Sequence, residues 1–247
     1  MTIWIAILFG IVQGITEFLP VSSSGHLLLL GSILGHAPSQ TLVLLLHFAS
    51  LVAIIIFYWN EIIDCLKHPF GKKSTMLFVA TICTALVALS LSKFEFVSSA
   101  VFLGPCFVAS GLILLFARFV PQKATPNFFA SAIAVGTLQG LCVLPGLSRL
   151  GTTTSCLNVC GHKNSSTTFS FLLAIPVVVG GIVLSVAKGN FLQSSVSPLA
   201  LIVSFVAAFV VSCCAIFLLK KLENRWWVFS PYLIVLGMAV CIWQYAI

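Results

Sequence analysis

The sequence predicts an all-α polytopic membrane protein built from six transmembrane helices and two re-entrant helix hairpins in an inverted-topology repeat. Of its 247 residues, 60% are apolar and only 7% are charged, whereas a soluble globular domain carries roughly a quarter charged residues. The apolar runs are continuous and do not alternate with a period of two, which is the pattern of transmembrane helices and not of barrel strands. A chain with so little polar surface has lipid as its main solvent.

Six segments have the roughly 20 apolar residues that a helix needs to cross the hydrocarbon core of a bilayer. Two other segments, residues 3–34 and 128–160, are apolar at both ends but interrupted in the middle by Gly, Pro, Ser and a charged residue. Interrupted backbone at membrane depth is tolerated only where it is buried in protein or lines a cavity. We therefore predict that each of these two forms a re-entrant helix–turn–helix hairpin. The six spanning segments are residues 41–59, 74–91, 98–116, 168–187, 198–219 and 228–247.

The two interrupted segments are related to each other by an internal repeat. Residues 13 and 139 begin the same Gln-Gly pair, and a serine and a glycine recur at the same spacing after each pair. The first repeat is predicted to cover residues 1–120 and the second residues 121–247, together forming one membrane domain. Each half has one hairpin and three spans, which is an odd number of crossings, so the halves are expected to be inverted relative to one another. The aligned pairs are Gln13 with Gln139, Ser22 with Ser148, and Gly25 with Gly151.

The basic residues predict how the chain lies in the membrane. Nine of the twelve Lys and Arg residues fall on one side of the predicted topology, Lys93 and Lys188 fall on the other, and Arg149 lies within a hairpin. Because basic residues collect on the cytoplasmic side, both termini are expected outside. The first hairpin then enters from the outside and the second from the cytoplasm. This topology explains the net charge of +7 without a nucleic-acid partner. The nine residues are Lys67, Lys72, Lys73, Arg118, Lys123, Lys163, Lys220, Lys221 and Arg225.

The first hairpin contains an acid and a serine-rich turn. Glu17 is the one acidic residue inside an apolar segment, where an ionisable group costs about 2.5–3.5 kcal/mol to insert and usually marks function. Gln13 lies one turn earlier on the same helix face. Pro20 ends the helix, and the hydroxyls and free backbone N–H groups that follow have the geometry of an anion site at a helix N-terminus. That turn consists of Ser22, Ser23, Ser24, Gly25 and His26.

The second hairpin contains the one basic residue embedded in an apolar segment, Arg149, within a turn rich in glycines and hydroxyls. Arg149 is the natural counter-charge for Glu17, and a structural ion pair is one interpretation. A guanidinium beside Ser and Thr hydroxyls at a helix N-terminus is also what binds a phosphate. Gly146, Ser148 and Thr153 are the accompanying candidates in that turn. Glu17 and Gln13 on the facing hairpin supply oxygen ligands for a divalent cation bridging to the phosphate.

These residues fit three classes of protein. A membrane phosphatase would use His26 for proton transfer, with either His26 or Ser23 as the nucleophile. A lipid or anion transporter would use the same inverted-repeat architecture but would not need a nucleophile beside the anion site. A structural subunit would need only the Glu17–Arg149 pair and neither serine-rich turn. The serine, histidine and acid together favour the phosphatase.

The two motifs resemble those of the bacterial undecaprenyl-diphosphate phosphatases of the bacitracin-resistance type. That family has an E/Q-x-x-x-E motif followed by P-x-S-S-x-G-H, and later P-G-x-S-R-S-x-x-T. Here they correspond to residues 13–17, 20–26 and 145–153, and the similarity extends through residues 169–176. The resemblance implies hydrolysis of the C55 isoprenyl diphosphate, which recycles the carrier lipid of cell-wall synthesis. It also implies a Mg²⁺ or Ca²⁺ requirement and a site open toward the outer face of the bacterial cytoplasmic (inner) membrane.

Transferred by position, the resemblance gives each site residue an expected role. Glu17 and Gln13 would bind metal or assist as base, Ser23 or His26 would attack phosphorus, and Arg149 would hold the phosphate. Ser22, Ser24, Gly25, Gly146, Ser148 and Thr153 would support phosphate binding. The chain departs from the family at Leu150, where the motif has a serine, and at His47 and Thr168, where Gln and Glu are expected. The expected partners are the isoprenyl diphosphate and membrane lipids, and a homodimer is left open.

Overall fold

The computed structural model describes residues 1–94, 100–121, 127–187, 196–219 and 225–246, and in these ranges every regular element is helical. The described ranges contain eleven α-helices, with short 3₁₀ turns before α6, α9 and α11. The helices are α1 (Ile3–Thr16), α2 (Ser23–Leu34), α3 (Gln40–Phe57), α4 (Trp59–Lys67), α5 (Lys72–Leu91), α6 (Leu103–Phe119), α7 (Phe128–Leu141), α8 (Arg149–Val159), α9 (Ser166–Ala187), α10 (Pro198–Leu219) and α11 (Ser230–Ala246).

The six spanning helices are confirmed. Within the described ranges, six helices are long and apolar enough to cross a membrane: α3, α5 and α10, and, each with the 3₁₀ turn before it, α6, α9 and α11. Helix α10 has the predicted bounds, and the other five differ from the prediction by a few residues at one or both ends. Such differences are expected, because polar caps and 3₁₀ turns, and not periodicity, set the last turn of a helix. The predicted start at Ser98 and the predicted end at Ile247 lie outside the described residues, as do Lys123, Lys188, Lys220 and Lys221 of the charge argument.

Helix α4 is the one described α-helix that the sequence analysis did not predict. It has nine residues and no fully buried side chain. Lys73 of α5 forms an ion pair with Glu61 of α4, which holds the short helix against the start of the next span. A segment with charges every few residues cannot cross a bilayer, so its helical form depends on the neighbouring span and not on its own apolar content.

Both interrupted segments form a pair of helices joined by a turn, and their re-entrant placement in the membrane stays a prediction. The pairs are α1 with α2 and α7 with α8, and the four helices have 14, 12, 14 and 11 residues. At about 1.5 Å per residue, each is roughly 16–21 Å long and too short to cross a hydrocarbon core of roughly 30 Å. The side from which each hairpin enters the membrane stays a prediction.

The packing of the helices has the pattern of two related halves. Helix α1 packs along α10, and its counterpart α7 packs along α5, so each hairpin rests on a span of the other half. Two further pairs join counterparts directly, α3 with α9 and α6 with α11, and the α3–α10 contact is matched by the contact of α9 with α5. Exchanging the two halves leaves these pairs unchanged, whereas α8 packs on α6 and α9 more extensively than α2 packs on α11 and α3. The repeat itself stays a prediction. The inversion of the halves across the membrane stays a prediction.

Glycines allow the close approach of each hairpin to its supporting span. A Cβ on Gly10 of α1 would lie 2.5 Å from the carbonyl oxygen of Ser204 on α10. A Cβ on its repeat counterpart, Gly136 of α7, would lie at least as close to the backbone carbonyl oxygen of Ala80 on α5. Backbone atoms cannot move aside as a flexible side chain can, so both crossings require a residue without a Cβ.

We expect Gly10→Ala to destabilise the fold by about 1–3 kcal/mol, because the added methyl group overpacks the α1–α10 crossing. The control is Gly180→Ala in α9, where a Cβ would meet nothing within 4 Å. There alanine should leave stability unchanged or raise it by up to about 1 kcal/mol through its better helix propensity. Thermal unfolding of the detergent-purified variants, followed by circular dichroism at 222 nm, measures both. Equal midpoints for the two variants would contradict the tight crossing.

Candidate active site

The tips of the two hairpins touch each other at glycines. A Cβ on Gly25 would lie 2.9 Å from the Cα of Gly146 and 2.7 Å from the ring of Phe107. Gly146 has a φ of +93°, in the left-handed region that favours glycine. On the other side of the contact, a Cβ on Gly151 would lie 3.3 Å from the carbonyl oxygen of Pro20. Glycines in both motifs therefore bring the two turns into direct contact.

Each turn ends in a serine that caps the following helix. The Ser22 hydroxyl accepts a hydrogen bond from the backbone N–H of Gly25 at 3.4 Å, and Ser148 accepts from Gly151 at 3.1 Å. Both caps fall at the positions that the repeat alignment pairs. Ser22 alone among the described non-glycine residues has a positive φ, of 69°, a conformation that costs about 1–3 kcal/mol and is typical of functional sites.

The second turn is also fixed by Ser110 of α6. The backbone N–H of Ser148 donates to the Ser110 hydroxyl at 2.8 Å, and that hydroxyl donates to the Gly146 carbonyl at 3.0 Å. Ser110 is buried and lies in the middle of a long apolar span. One hydroxyl therefore satisfies two backbone groups of the turn that precedes Arg149, which makes Ser110 a positioning residue that sequence reasoning missed.

Glu17 and Arg149 meet where the two tips touch. The Arg149 guanidinium donates through Nη2 to Glu17 Oε1 at 2.5 Å. Ser23 Oγ donates to Glu17 Oε2 at 2.5 Å, and Gln13 Nε2 donates to the same oxygen at 3.0 Å. The other guanidinium nitrogen, Arg149 Nη1, is buried and has no hydrogen-bond partner among the described residues. Arg149 therefore has a free donor besides the one that neutralises Glu17.

A cavity of about 290 Å³ opens beside this pair. A second hollow of about 20 Å³ lies between the tips, lined by Glu17, Ser23 and Arg149 together with Ser148. Five of the predicted site residues thus line the larger cavity, and Ser148 lines the smaller hollow. The polar residues of the larger cavity are Glu17, Ser22, Ser23, Ser24, His47, Thr84, Gln139 and Arg149.

His26 does not line either space. Its Nδ1 lies 2.8 Å from the carbonyl oxygen of Ser22, and its Nε2 lies 2.7 Å from the hydroxyl of Tyr232. Since a carbonyl only accepts, Nδ1 carries the proton in this arrangement and the Tyr232 hydroxyl donates to Nε2. The ring also stacks on Tyr232 and makes an edge contact with Phe107. Both ring nitrogens are therefore engaged away from Glu17.

Four other predicted site residues also lie outside the cavity. Gln13 is fully buried behind Glu17, and Thr153 is hydrogen-bonded to the Arg149 carbonyl and to Ser170. Gly25 and Gly146 lie at the contact of the tips. In this arrangement Gln13 and Thr153 hold Glu17 and α8 in place, and the two glycines allow the approach.

Two of the positions that depart from the family motifs have clear surroundings. Leu150 packs in an apolar cluster with Phe18 and Phe171, so the residue that replaces a hydroxyl contributes to the core behind the tips. His47 lines the cavity, with Nδ1 held at 2.8 Å from the Val43 carbonyl and Nε2 at 3.7 Å from Glu17 Oε2. Thr168 lies on α9 and is not among the residues that line the cavity.

Gln139 is a cavity residue that sequence reasoning used only to align the repeat. It is 2% exposed, and neither of its side-chain amide atoms has a hydrogen-bond partner among the described residues. A buried amide without partners is costly, which is a feature of polar groups kept for a ligand or water. The signal that could have found it is its alignment with Gln13.

The oxygen atoms near Glu17 can be tested against a divalent cation. Within the described part of the chain, no three Asp, Glu, His or Cys side chains cluster as a metal site would require on its own. However, the Oε1 atom of Gln13 is buried and lacks a partner there, one helical turn before Glu17. Mg²⁺ is commonly held by one or two protein oxygens plus substrate phosphates. Glu17, which lines the cavity, and the unpartnered Gln13 Oε1 are therefore the candidate ligands, and the cation requirement stays a prediction.

An apolar cavity of about 250 Å³ adjoins the polar one. The two share Ser24, Val43 and Val143 in their linings. The rest of the second cavity is lined by Leu27, Leu28, Pro38 and Pro145, with no charged residue. The site therefore has a charged end at Glu17 and Arg149 and an apolar extension that leads away from it.

Comparison with known proteins gives a consistent result. The model of the family described as bacitracin resistance protein BacA matches residues 6–239. An undecaprenyl-diphosphatase from Carboxydothermus hydrogenoformans is 36% identical, over 98% of this chain and 97% of the relative. One from Christiangramia forsetii is 32% identical over 100% of both chains. An undecaprenyl-diphosphatase 1 from Shouchella clausii is 32% identical over 100% of this chain and 98% of the relative. These matches run through both hairpin turns.

Proposed function

This chain belongs to the bacitracin resistance protein BacA family, and from that premise we propose that it hydrolyses undecaprenyl diphosphate to undecaprenyl phosphate and inorganic phosphate. The observation that carries the proposal is the meeting of Ser23, Glu17 and Arg149, from two hairpins, at the wall of one cavity. A serine hydroxyl that donates a hydrogen bond to a carboxylate is activated as a nucleophile, because the carboxylate can accept its proton. A guanidinium with a free donor beside it is a phosphate ligand.

Ser23 is the nucleophile in this proposal. Its Oγ attacks the terminal phosphorus while its proton passes to Glu17 Oε2, to which it is already hydrogen-bonded at 2.5 Å. The bond from phosphorus to the bridging oxygen breaks, and undecaprenyl phosphate leaves. Water then attacks the phosphoserine, releases inorganic phosphate and restores the hydroxyl. His26 is disfavoured for the attack because both of its ring nitrogens are engaged elsewhere.

Arg149 binds the phosphoryl group through Nη1 while Nη2 remains on Glu17. A charge-assisted donor that is already oriented stabilises the negative charge that develops on the transferred oxygens without further reorganisation. Gln139, which lines the same cavity and has an amide without a partner among the described residues, would donate to the second phosphate of the diphosphate. The first isoprene units of the lipid fit the adjoining apolar cavity.

Glu17 and Gln13 are the residues that would hold a divalent cation, Mg²⁺ or Ca²⁺. Bound there, the ion would neutralise charge on the diphosphate and orient it. The enzyme lies in the bacterial cytoplasmic membrane as a multi-pass protein, with the site toward the outer side. In that place it would return the carrier lipid for peptidoglycan synthesis and lower the amount of the lipid diphosphate that bacitracin binds.

A transporter or flippase built on the same repeat is the competing function. A carrier needs an anion site and an inverted repeat, but the short Ser23–Glu17 hydrogen bond has no role in binding alone. That contact favours hydrolysis.

The test is phosphate release from undecaprenyl diphosphate by the detergent-purified protein. Release should be lost on adding EDTA and restored by Mg²⁺ or Ca²⁺. A lipid monophosphate should yield little phosphate, since hydrolysis stops at that product. If folded wild-type protein releases no phosphate with either Mg²⁺ or Ca²⁺, the hydrolase proposal is overturned. Lipid translocation in vesicles would then be the next measurement.

A further inference from the structure

A second polar pocket lies at the opposite end of α8 from Arg149. We define it as the α6–α8 pocket, with a volume of about 220 Å³. It shares no lining residue with the catalytic cavity. Ser155 and Asn158 are six and nine residues beyond Arg149, which corresponds to roughly 9–14 Å along a helix axis. The polar residues and indole rings that line it are Arg118, Ser155, Asn158, Lys163, Trp226 and Trp227.

The pocket forms where four helix ends come together. Arg118 lies in the last turn of α6 and Asn158 in the last turn of α8. Lys163 begins the 3₁₀ turn before α9, and Trp226 begins the one before α11. Arg118 and Lys163 both belong to the side that carries the basic excess. The pocket therefore opens at the face predicted to be cytoplasmic, opposite to the proposed opening of the catalytic site.

The groups in the pocket are mainly hydrogen-bond donors. The Arg118 guanidinium lies 3.8 Å from the Trp227 ring centroid, a cation–π contact that orients it. Neither Arg118 nor Lys163 has an acidic partner among the residues that the structure describes. The indole Nε1 of Trp226 is buried and also lacks a partner there. An indole N–H only donates, so these three groups together favour an anion.

Two polar side chains of α8 show that the pocket is more than a basic surface. Ser155 is only 6% exposed, and its hydroxyl makes no hydrogen bond within the described residues although it lines the pocket. Asn158 Oδ1 is likewise buried without a partner there. Positive charge on the cytoplasmic face alone would account for Arg118 and Lys163. It would not account for Ser155 and Asn158, which belong to α8 and also line the pocket. Buried polar groups without partners are costly unless a ligand or water satisfies them.

We propose that the α6–α8 pocket is a second, non-catalytic site that binds a phosphate group. Two cations, an indole N–H and a hydroxyl match the oxygens of a phosphate, and Asn158 Oδ1 accepts from a hydroxyl of the same ligand. The phosphate belongs either to an anionic phospholipid headgroup such as that of phosphatidylglycerol or to free inorganic phosphate. The exposed rings of Phe116 and Phe119 on α6 provide apolar surface next to the pocket for acyl chains, which favours the lipid.

The experiment is native mass spectrometry of the delipidated protein titrated with phosphatidylglycerol, phosphatidylcholine or inorganic phosphate. We expect one phosphatidylglycerol per chain, bound about tenfold or more tightly than phosphatidylcholine. The Arg118→Gln/Lys163→Gln double variant should lose that preference. Ser155→Ala, which leaves every charge in place, should weaken binding several-fold. The matched control is Lys67→Gln/Lys72→Gln, which removes two exposed lysines of the same predicted face outside the pocket and should bind like wild type.

The outcomes separate the sources of the ligand and test the site itself. Inorganic phosphate that binds without phosphatidylglycerol binding, and is lost in the same variants, would assign the pocket to the free anion. Equal loss of binding in the control pair would show general surface attraction and overturn the proposal. Unchanged binding in Ser155→Ala, or no binding of either phosphate probe to wild type, would overturn it as well. Circular dichroism of each variant shows that it is folded, and none of these outcomes depends on phosphatase activity.

Discussion

Ser23→Ala is expected to lower phosphate release by about a thousandfold or more, because loss of a nucleophile leaves only binding and electrostatic stabilisation. Ser23 is the one hydroxyl of the serine turn that is hydrogen-bonded to Glu17. The KM for undecaprenyl diphosphate should change little, since Arg149 and the apolar cavity remain. Initial rates of phosphate release by the purified variant, measured over a range of substrate concentrations, give both parameters.

The matched control is Ser24→Ala. Ser24 is the next residue in the same turn and also lines the cavity, but its hydroxyl contacts Ser22 and not Glu17. Its loss should change the rate by about tenfold or less. Stopping the wild-type reaction with acid should trap labelled phosphate on residue 23. A Ser23→Ala enzyme with near-normal rate, together with an inactive His26→Gln enzyme, would instead assign the nucleophile to His26.

Arg149→Gln is expected to destabilise the protein by about 3–5 kcal/mol, because it leaves the Glu17 carboxylate buried without its counter-charge. Glu17 is 6% exposed, and its partner side chain is 16% exposed. Activity should also fall by at least about a hundredfold, since a preoriented donor to the phosphoryl group is lost. Thermal unfolding and phosphate release measure the two effects separately.

The double variant Glu17→Gln/Arg149→Gln separates the structural role of the pair from its catalytic role. Two neutral amides of similar size can hydrogen-bond to each other, so much of the lost stability should return, while activity should stay at the level of the single variants. This non-additivity is expected for residues in direct contact. If both stability and activity returned in the double variant, Arg149 would have only a structural role. If stability did not return, the buried charge would not be the cause of the loss.

The sequence by itself determined the helical membrane class and the location of the two motifs. Continuous apolar runs fix the number of spans, because the thickness of the bilayer sets a required length. Glu17 and Arg149 are recognisable because an ionisable group inside such a run is costly. The cap serines Ser22 and Ser148 follow from local hydrogen bonding in each turn, which depends only on nearby residues.

The sequence did not determine which residues of each motif reach the cavity. His26 lies three residues from Ser23, yet its ring is held by Tyr232, which is 206 residues away in the chain. Gln13 shares a helix face with Glu17 but is buried behind it, next to Ser50 of α3. In both cases the position of the side chain depends on contacts with helices that are distant in the sequence, and no local sequence pattern encodes these contacts.

Only the tertiary structure joined the two halves into a site. Glu17 and Arg149 are 132 residues apart in the chain and meet because glycines let the tips touch and let each hairpin pack on a span of the other half. The α6–α8 pocket likewise forms from the ends of helices that are far apart in sequence. Periodicity and composition report the surroundings of one segment at a time, whereas a site in a helical membrane protein depends on which segments pack together.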